Sequence, residues 1–120
     1  MQGFYCVIQF CPDQVRREGV NVGVVVGDGH QLRVRFDETT DRLRRMFPHA
    51  QLDDRRIAEA KRALQRRLSE VDPTEASLRD FIDKESSQLV MLPTVRTRLD
   101  DIEVSVARLF VKFVAEPYCT

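Results

Sequence analysis

A chain of 120 residues with 42% apolar and 32% charged side chains has the makeup of a folded, water-soluble domain, not of a disordered one. Nineteen basic and nineteen acidic side chains cancel, so no net field steers it to nucleic acid or anionic lipid, and no run approaches the ~18 apolar residues of a membrane helix. The cancellation is uneven: residues 33–67 hold eleven basic side chains against six acidic, residues 68–120 six against ten.

The first element predicted is the strand GFYCVIQFC, which alternates Phe4, Cys6, Ile8 and Phe10 against Tyr5, Val7 and Gln9. Its opening residues lack the positive segment and long apolar run of a secretion signal. Cys6 and Cys11 point to opposite faces of this strand and Cys119 stands near the end, an odd count without metal-ligand spacing that predicts a reducing cytoplasm. Next comes VNVGVVV at 20–26, predicted to set Val20, Val22, Val24 and Val26 on one face, with Gly23 leaving room for close packing on the other. Asp28-Gly29 signals a two-residue hairpin turn. QLRVRF then places Leu32, Val34 and Phe36 inward and Arg33 and Arg35 outward.

Helices follow. TTDRLRRMF is short, packs Leu43, Met46 and Phe47, and stops before Pro48. From about Asp53 to Val71, Ile57, Ala60, Leu64, Leu68 and Val71 form a narrow apolar stripe. Asp72-Pro73-Thr74-Glu75 restarts a helix, with Asp72 as its cap and Leu78, Phe81 and Ile82 on its inner face. SQLVMLP reads as a fourth strand ended by Pro93. DDIEVSVARLFVKFV, 100–114, reads as a helix with Asp100 and Glu103 as a capping pair. Its arc continues past Ile102, Val106, Leu109, Phe110 and Phe113 through Val104, Ala107, Val111 and Val114, wider than one sheet face needs.

The corner between the first two strands is the most individual stretch. Pro12 to Gly19 is longer than a plain hairpin turn, and Asp13, Arg16, Arg17, Glu18 and Asn21 form a candidate contact set for a ligand or partner. Guanidinium forks at Arg16 and Arg17 suit phosphate or carboxylate, while an Asx turn and solvated charges explain the same residues structurally. The glycine spacing and Lys-Ser/Thr pair of a phosphate loop are absent. Helix 53–71 carries Arg55, Arg62 and Arg66 outward, but Glu59 interrupts them and no aromatic residue interleaves for base stacking. His30 and His49 read as exposed loop residues. Cys11 with His30 is the one pairing that suggests a nucleophile and base, without an oxyanion nest or third group beside it. No catalytic constellation, metal set or cofactor motif is present in the sequence.

The segments YCVIQFCPDQVRREGVNVGVVVGD and RVRFDETTDRLRRMFP resemble a family of short bacterial proteins, the domain-of-unknown-function family 3037. Pro12, Asp13, Arg16, Glu18, Asn21 and Gly23 carry the likeness; Gln14, Arg17 and a shorter hairpin turn depart from it. The resemblance implies a bacterial, cytoplasmic, single-domain protein without an assigned activity. It also implies a neighbourhood association with HipA-type kinases, hence an accessory or regulatory partner of that kind.

The reading is an α+β domain spanning 1–120. It has an antiparallel sheet of about four strands, a meander plus one later strand beside the first, and about four helices packed mainly on one face. The expected function is a non-enzymatic protein-interaction or regulatory module that contacts another protein or its own copy. Its interface candidates are Val104, Ala107, Val111 and Val114. Two alternatives stay open: a nucleic-acid or nucleotide-phosphate binder using Arg16, Arg17 and the basic 33–67 surface, and a small enzyme of undefined reaction. No membrane role is expected.

Overall fold

The computed structural model describes residues 1–13, 18–48, 51–85 and 89–115, with only the backbone of Asp13 and Glu18. Arg16, Arg17, His49 and Cys119 lie outside the described residues. Strand β1 (Gln2–Asp13) pairs antiparallel with β2 (Glu18–Gly27), and β2 with β3 (Leu32–Phe36). On the other edge of β1, β4 (Leu89–Met91) pairs with Ile8–Phe10 and β5 (Val95–Arg98) with Gln2–Tyr5. The sheet therefore has five strands in an α+β arrangement, β4 and β5 running as one strand broken around Pro93. Proline has no N–H for the ladder, and the register shifts by one residue across the break. The periodicity of VRTR did not announce β5, because an edge strand of alternating polar residues has no apolar face to show.

The valines of β2 do not share one face. Ile8 pairs with Gly23 but Gln9 pairs with Asn21, so β2 carries an extra residue, Val22, opposite β1. This bulge reverses the alternation. Val20, Val22 and Val25 join Phe4, Cys6, Ile8 and Phe10 on one face, while Val24 and Val26 turn to the other with Val7. Gly23 sits beside the bulge, where an added Cβ would lie 2.8 Å from the Phe36 ring and 3.0 Å from the Arg35 carbonyl. The β2–β3 turn is longer than the sequence suggested. The four residues 28–31 bridge Gly27 and Leu32, the Asp28 carboxylate accepts from the amides of His30 and Gln31, and Gly29 takes φ +92°.

Three helices cover the first face: α1 (Asp41–Met46), α2 (Asp54–Leu68) and α3 (Glu75–Lys84). Leu43, Ile57, Leu64, Leu68 and Leu78 fill the core there with Leu89 and Met91. Met46 is exposed, since Leu43 and Phe47 take the inward positions of so short a helix. Asp53 caps α2 by accepting from the amides of Arg55 and Arg56. The cap of α3 is Thr74, whose hydroxyl accepts from Ser77, in place of Asp72; the extended backbone at Thr74 brings its side chain to that amide.

The second face holds α4 (Ile102–Phe110), which continues as one π-helical turn, Val111–Ala115. Asp101 caps it, accepting from Glu103 and Val104, while Asp100 pairs with Arg108 and Glu103 with Arg33. Ile102, Val106 and Leu109 pack on Val26 and Leu99, Phe110 on Val7 and Val24, and Phe113 stacks on Tyr5 at 5.3 Å. The outward arginines of β3 serve this face: Arg33 reaches Glu103 and Arg35 lies 4.4 Å from the Phe110 ring centre. Val114, read from helical spacing as part of an outer surface, is fully buried. A π-turn closes from i to i+5, so each residue advances by less than the α-helical ~100° and Val114 rotates inward beside Phe110. No helix among the described residues is long and apolar enough to cross a membrane.

Gly23→Ala is expected to lower the unfolding free energy by about 1–3 kcal/mol through overpacking against Phe36. Leu64→Ala, which opens a void at a fully buried site, should lower it by about 2–5 kcal/mol. Urea denaturation of both variants checks the pair, and a neutral Gly23→Ala would mean that Phe36 is not held against β2.

Candidate functional site

The long corner of the sequence contracts in the structure. Asp13 pairs with Glu18, so β1 and β2 extend further than their apolar pattern showed and only residues 14–17 join them. Of the candidate contact residues, Arg16 and Arg17 and the side chains of Asp13 and Glu18 fall outside the description. Asn21 is described, and it faces α4. Gln9 Nε2 donates to Asn21 Oδ1 at 2.9 Å, and Asn21 Nδ2 donates to the carbonyl of Phe113 at 2.9 Å.

That contact belongs to a wider polar junction. Carbonyls at a helix end lack intrahelical donors, and here side chains supply them. Arg42 on α1 donates to the carbonyl of Val114 at 2.6 Å and lies 3.6 Å from the Asp37 carboxylate. Lys61 on α2 donates to the carbonyl of Asp37 at 2.7 Å, and the amide of Asp37 donates to Val22 at the bulge. Lys61 is buried where the apolar stripe predicted Ala60 to be, and desolvation lowers its pKa, the nearby Asp37 opposing the shift. The junction ties the end of β3, the bulge, α1, α2 and the π-turn together. Gln9, Asp37, Arg42 and Lys61 were not among the residues singled out from the sequence. Their one signal there is polarity beside apolar positions, which solvated residues share.

The basic surface of α2 is largely spoken for. Arg55 pairs with Glu59, Arg56 with Asp53 and Arg67 with Glu85 while staying exposed, and Arg62 and Arg66 are exposed without an ion pair among the described residues. On α4 the arrangement differs. Val104 is 56% and Val111 44% exposed, with Ala107 half-buried between them, and a shallow depression of about 660 Å³ is lined by Ala107, Arg108, Val111 and Lys112. An open groove of about 460 Å³ between β3 and the end of α2 holds His30 and Arg33 as its only ionisable groups.

Residues 5–114 match the model of the family described as Protein of unknown function (DUF3037). The chain belongs to that family. Searches of curated proteins and of solved structures found no match.

In this DUF3037 member the Cys11 thiol is remote from His30. Cys11 lies beside Gly19 at the start of β2, while His30 stands beyond its end, about 25 Å away at the rise of a strand. A Cys11–His30 dyad is therefore excluded. Burial raises the Cys11 thiol and pushes that of Cys6 up to about 12, against a weaker lowering by a hydrogen bond with the Val25 backbone. Among the described residues no group of three His, Cys, Asp or Glu side chains is placed to hold a metal ion.

Arg42→Ala should cost about 1–3 kcal/mol, since it strips the donor from Val114 and the partner from Asp37. Amide exchange should accelerate in residues 110–115 more than in α2, and uniform acceleration would refute a local clamp. Between 9.0, the ordinary thiol value, and about 12, the unfolded chain has lost the Cys6 proton that the folded chain keeps. Stability from this group is thus complete below pH 9 and falls as pH rises, by about 1.4 kcal/mol per unit. Cys6→Ala should show a shallower alkaline decline in urea titrations than the parent, and parallel declines would count against this account.

Proposed function

We propose that this chain is a non-catalytic protein-interaction module that meets its partner through the outer side of α4. One observation carries the reading. Val104 and Val111 stay substantially exposed on a helix whose opposite side is fully packed, so α4 is apolar beyond what holding it to the sheet requires. The polar junction supports a structural role for most of the buried charge. Its donors are spent on carbonyls of the chain itself, which leaves them no reacting group to act upon. A protein partner fits the exposed valines better than a polyanion, because carboxylates at Asp53, Glu59 and Glu85 stand among the arginines of α2. A kinase resembling HipA, associated with this chain through the family resemblance, is the first named partner to test.

A photo-crosslinking residue placed at Val104 in cells that express the chain should yield a discrete protein adduct, and the same residue at Arg66 should not. An adduct with nucleic acid at 66 and none with protein at 104 would overturn the reading in favour of phosphate-backbone binding.

A further inference from the structure

Independently of α4, we infer that the open edge of β3 is a docking strip for an extended acidic segment of another protein, which joins the sheet as an added strand. β2 and β3 keep register without a break from Gly27 opposite Leu32 to Gly23 opposite Phe36. Beyond each end of that run a ladder bond is made, from the Asp28 amide to the Gln31 carbonyl and from the Asp37 amide to the Val22 carbonyl. Hydrogen-bonded residues alternate along an antiparallel pair, so Arg33 and Arg35 turn their backbone groups to β2. Leu32, Val34 and Phe36 turn theirs outward. The Leu32 carbonyl accepts from Arg33 Nη1, while the backbone groups of Val34 and Phe36 meet no donor or acceptor among the described residues. Unpaired groups at strand spacing are matched by another extended backbone.

Each side of the strip selects its chemistry. Side chains beside Leu32 and Val34 enter the open groove between β3 and α2, where Leu32, Val34, Leu68 and Val71 are apolar and, among the described residues, no carboxylate lines the wall. Apolar residues of the added strand fit there. The residues between them fall on the α4 side, next to Arg33 and Arg35. Arg33 is matched by Glu103. Arg35 is exposed, lies over the Phe110 ring and has no carboxylate partner among the described residues, so an acid on the added strand meets an uncompensated guanidinium. Arg62 strengthens the positive field. It continues the α2 stripe of Gln65 and Ser69 that borders the groove, at the end where the neighbouring Lys61 reaches Asp37. The same charges bar a second copy: antiparallel pairing of two β3 edges centred on Arg33, Val34 or Arg35 sets arginine against arginine. The edge therefore accepts alternating apolar and acidic residues and rejects its own sequence, LRVRF.

The test titrates the full, isotope-labelled chain with a short capped peptide of alternating valine and glutamate, read by amide chemical shift and amide exchange. Saturable shifts are expected at Leu32, Val34 and Phe36, with a Kd between about 10 µM and about 1 mM. The Val34 and Phe36 amides should exchange more slowly with the peptide bound. Arg35→Glu should weaken binding severalfold and admit the corresponding valine–lysine peptide, which the parent chain does not bind. A valine–glutamate peptide methylated on every amide nitrogen should not bind, because it brings no donor to the edge. Val34→Pro removes an outward N–H, leaves the β2 ladder intact and should also lose binding; Arg35→Glu carries the test if that variant unfolds. The absence of a saturable shift up to about 1 mM overturns the inference, as does equal binding of the lysine or the methylated peptide. Shifts centred on Val104 and Val111 instead of β3 overturn it too, assigning the peptide to α4. So do concentration-dependent shifts at Val34 and Phe36 without peptide, which mark pairing with a second copy.

Discussion

One extra residue in β2 governs the architecture. Where Asn21 and Val22 stand opposite the single residue Gln9, the side-chain alternation of the strand reverses. Without it the valines at 20, 22, 24 and 26 would all face α1–α3, and of the valines in β2 only Val25 would meet α4. With it Val24 and Val26 join Val7 and Tyr5 as the floor on which α4 lies. The same irregularity aims Asn21 at the Phe113 carbonyl and offers the Val22 carbonyl to Asp37. The bulge thus both builds the second core and ties down the element resting on it.

The other end of that tie is the π-turn. By rotating Val114 inward it seals the core beside Phe110, and it presents the Phe113 and Val114 carbonyls to donors from β2 and α1. Side chains from both layers of the protein converge there, so α1 and α4 are joined although they sit on opposite faces of the sheet. The outer side of α4 is in consequence held on a rigid support. Its exposed valines sit on a helix fixed by Arg33, Arg35, Asn21 and Arg42, not on a fraying terminus. A contact surface so mounted loses little freedom on binding.

The candidate site was legible only in part. Val104, Ala107 and Val111 stood out because an apolar arc wider than a single face is visible in the order of residues alone, and the structure leaves those three on the outer side. Val114 belonged to the same arc by ideal helical spacing and left it because the helix changes pitch. Asn21 was marked as a candidate contact residue of the corner, yet two of its partners, a side chain 12 residues away and a carbonyl 92 residues away, have no trace in local pattern. Lys61 is the sharpest case. A lysine one position from an apolar stripe reads as a flank, and only the Asp37 carbonyl above it makes its burial tolerable.

By itself the sequence determined most of the secondary elements, since these follow from local periodicity, capping side chains and chain-breaking residues, though not β5 or the π-turn. The body of the first strand, the valine strand, the helix begun by Asp53 and the helix from Ile102 all rest on such short-range signals. It also determined the mixed α+β class and the family. The tertiary structure alone decided which face each valine takes, that VRTR completes the sheet edge, and that the helix from Ile102 ends in a π-turn. Those outcomes depend on register, pitch and distant donors. Each is a compromise between segments far apart in the chain, and no window of neighbouring residues contains both sides of it.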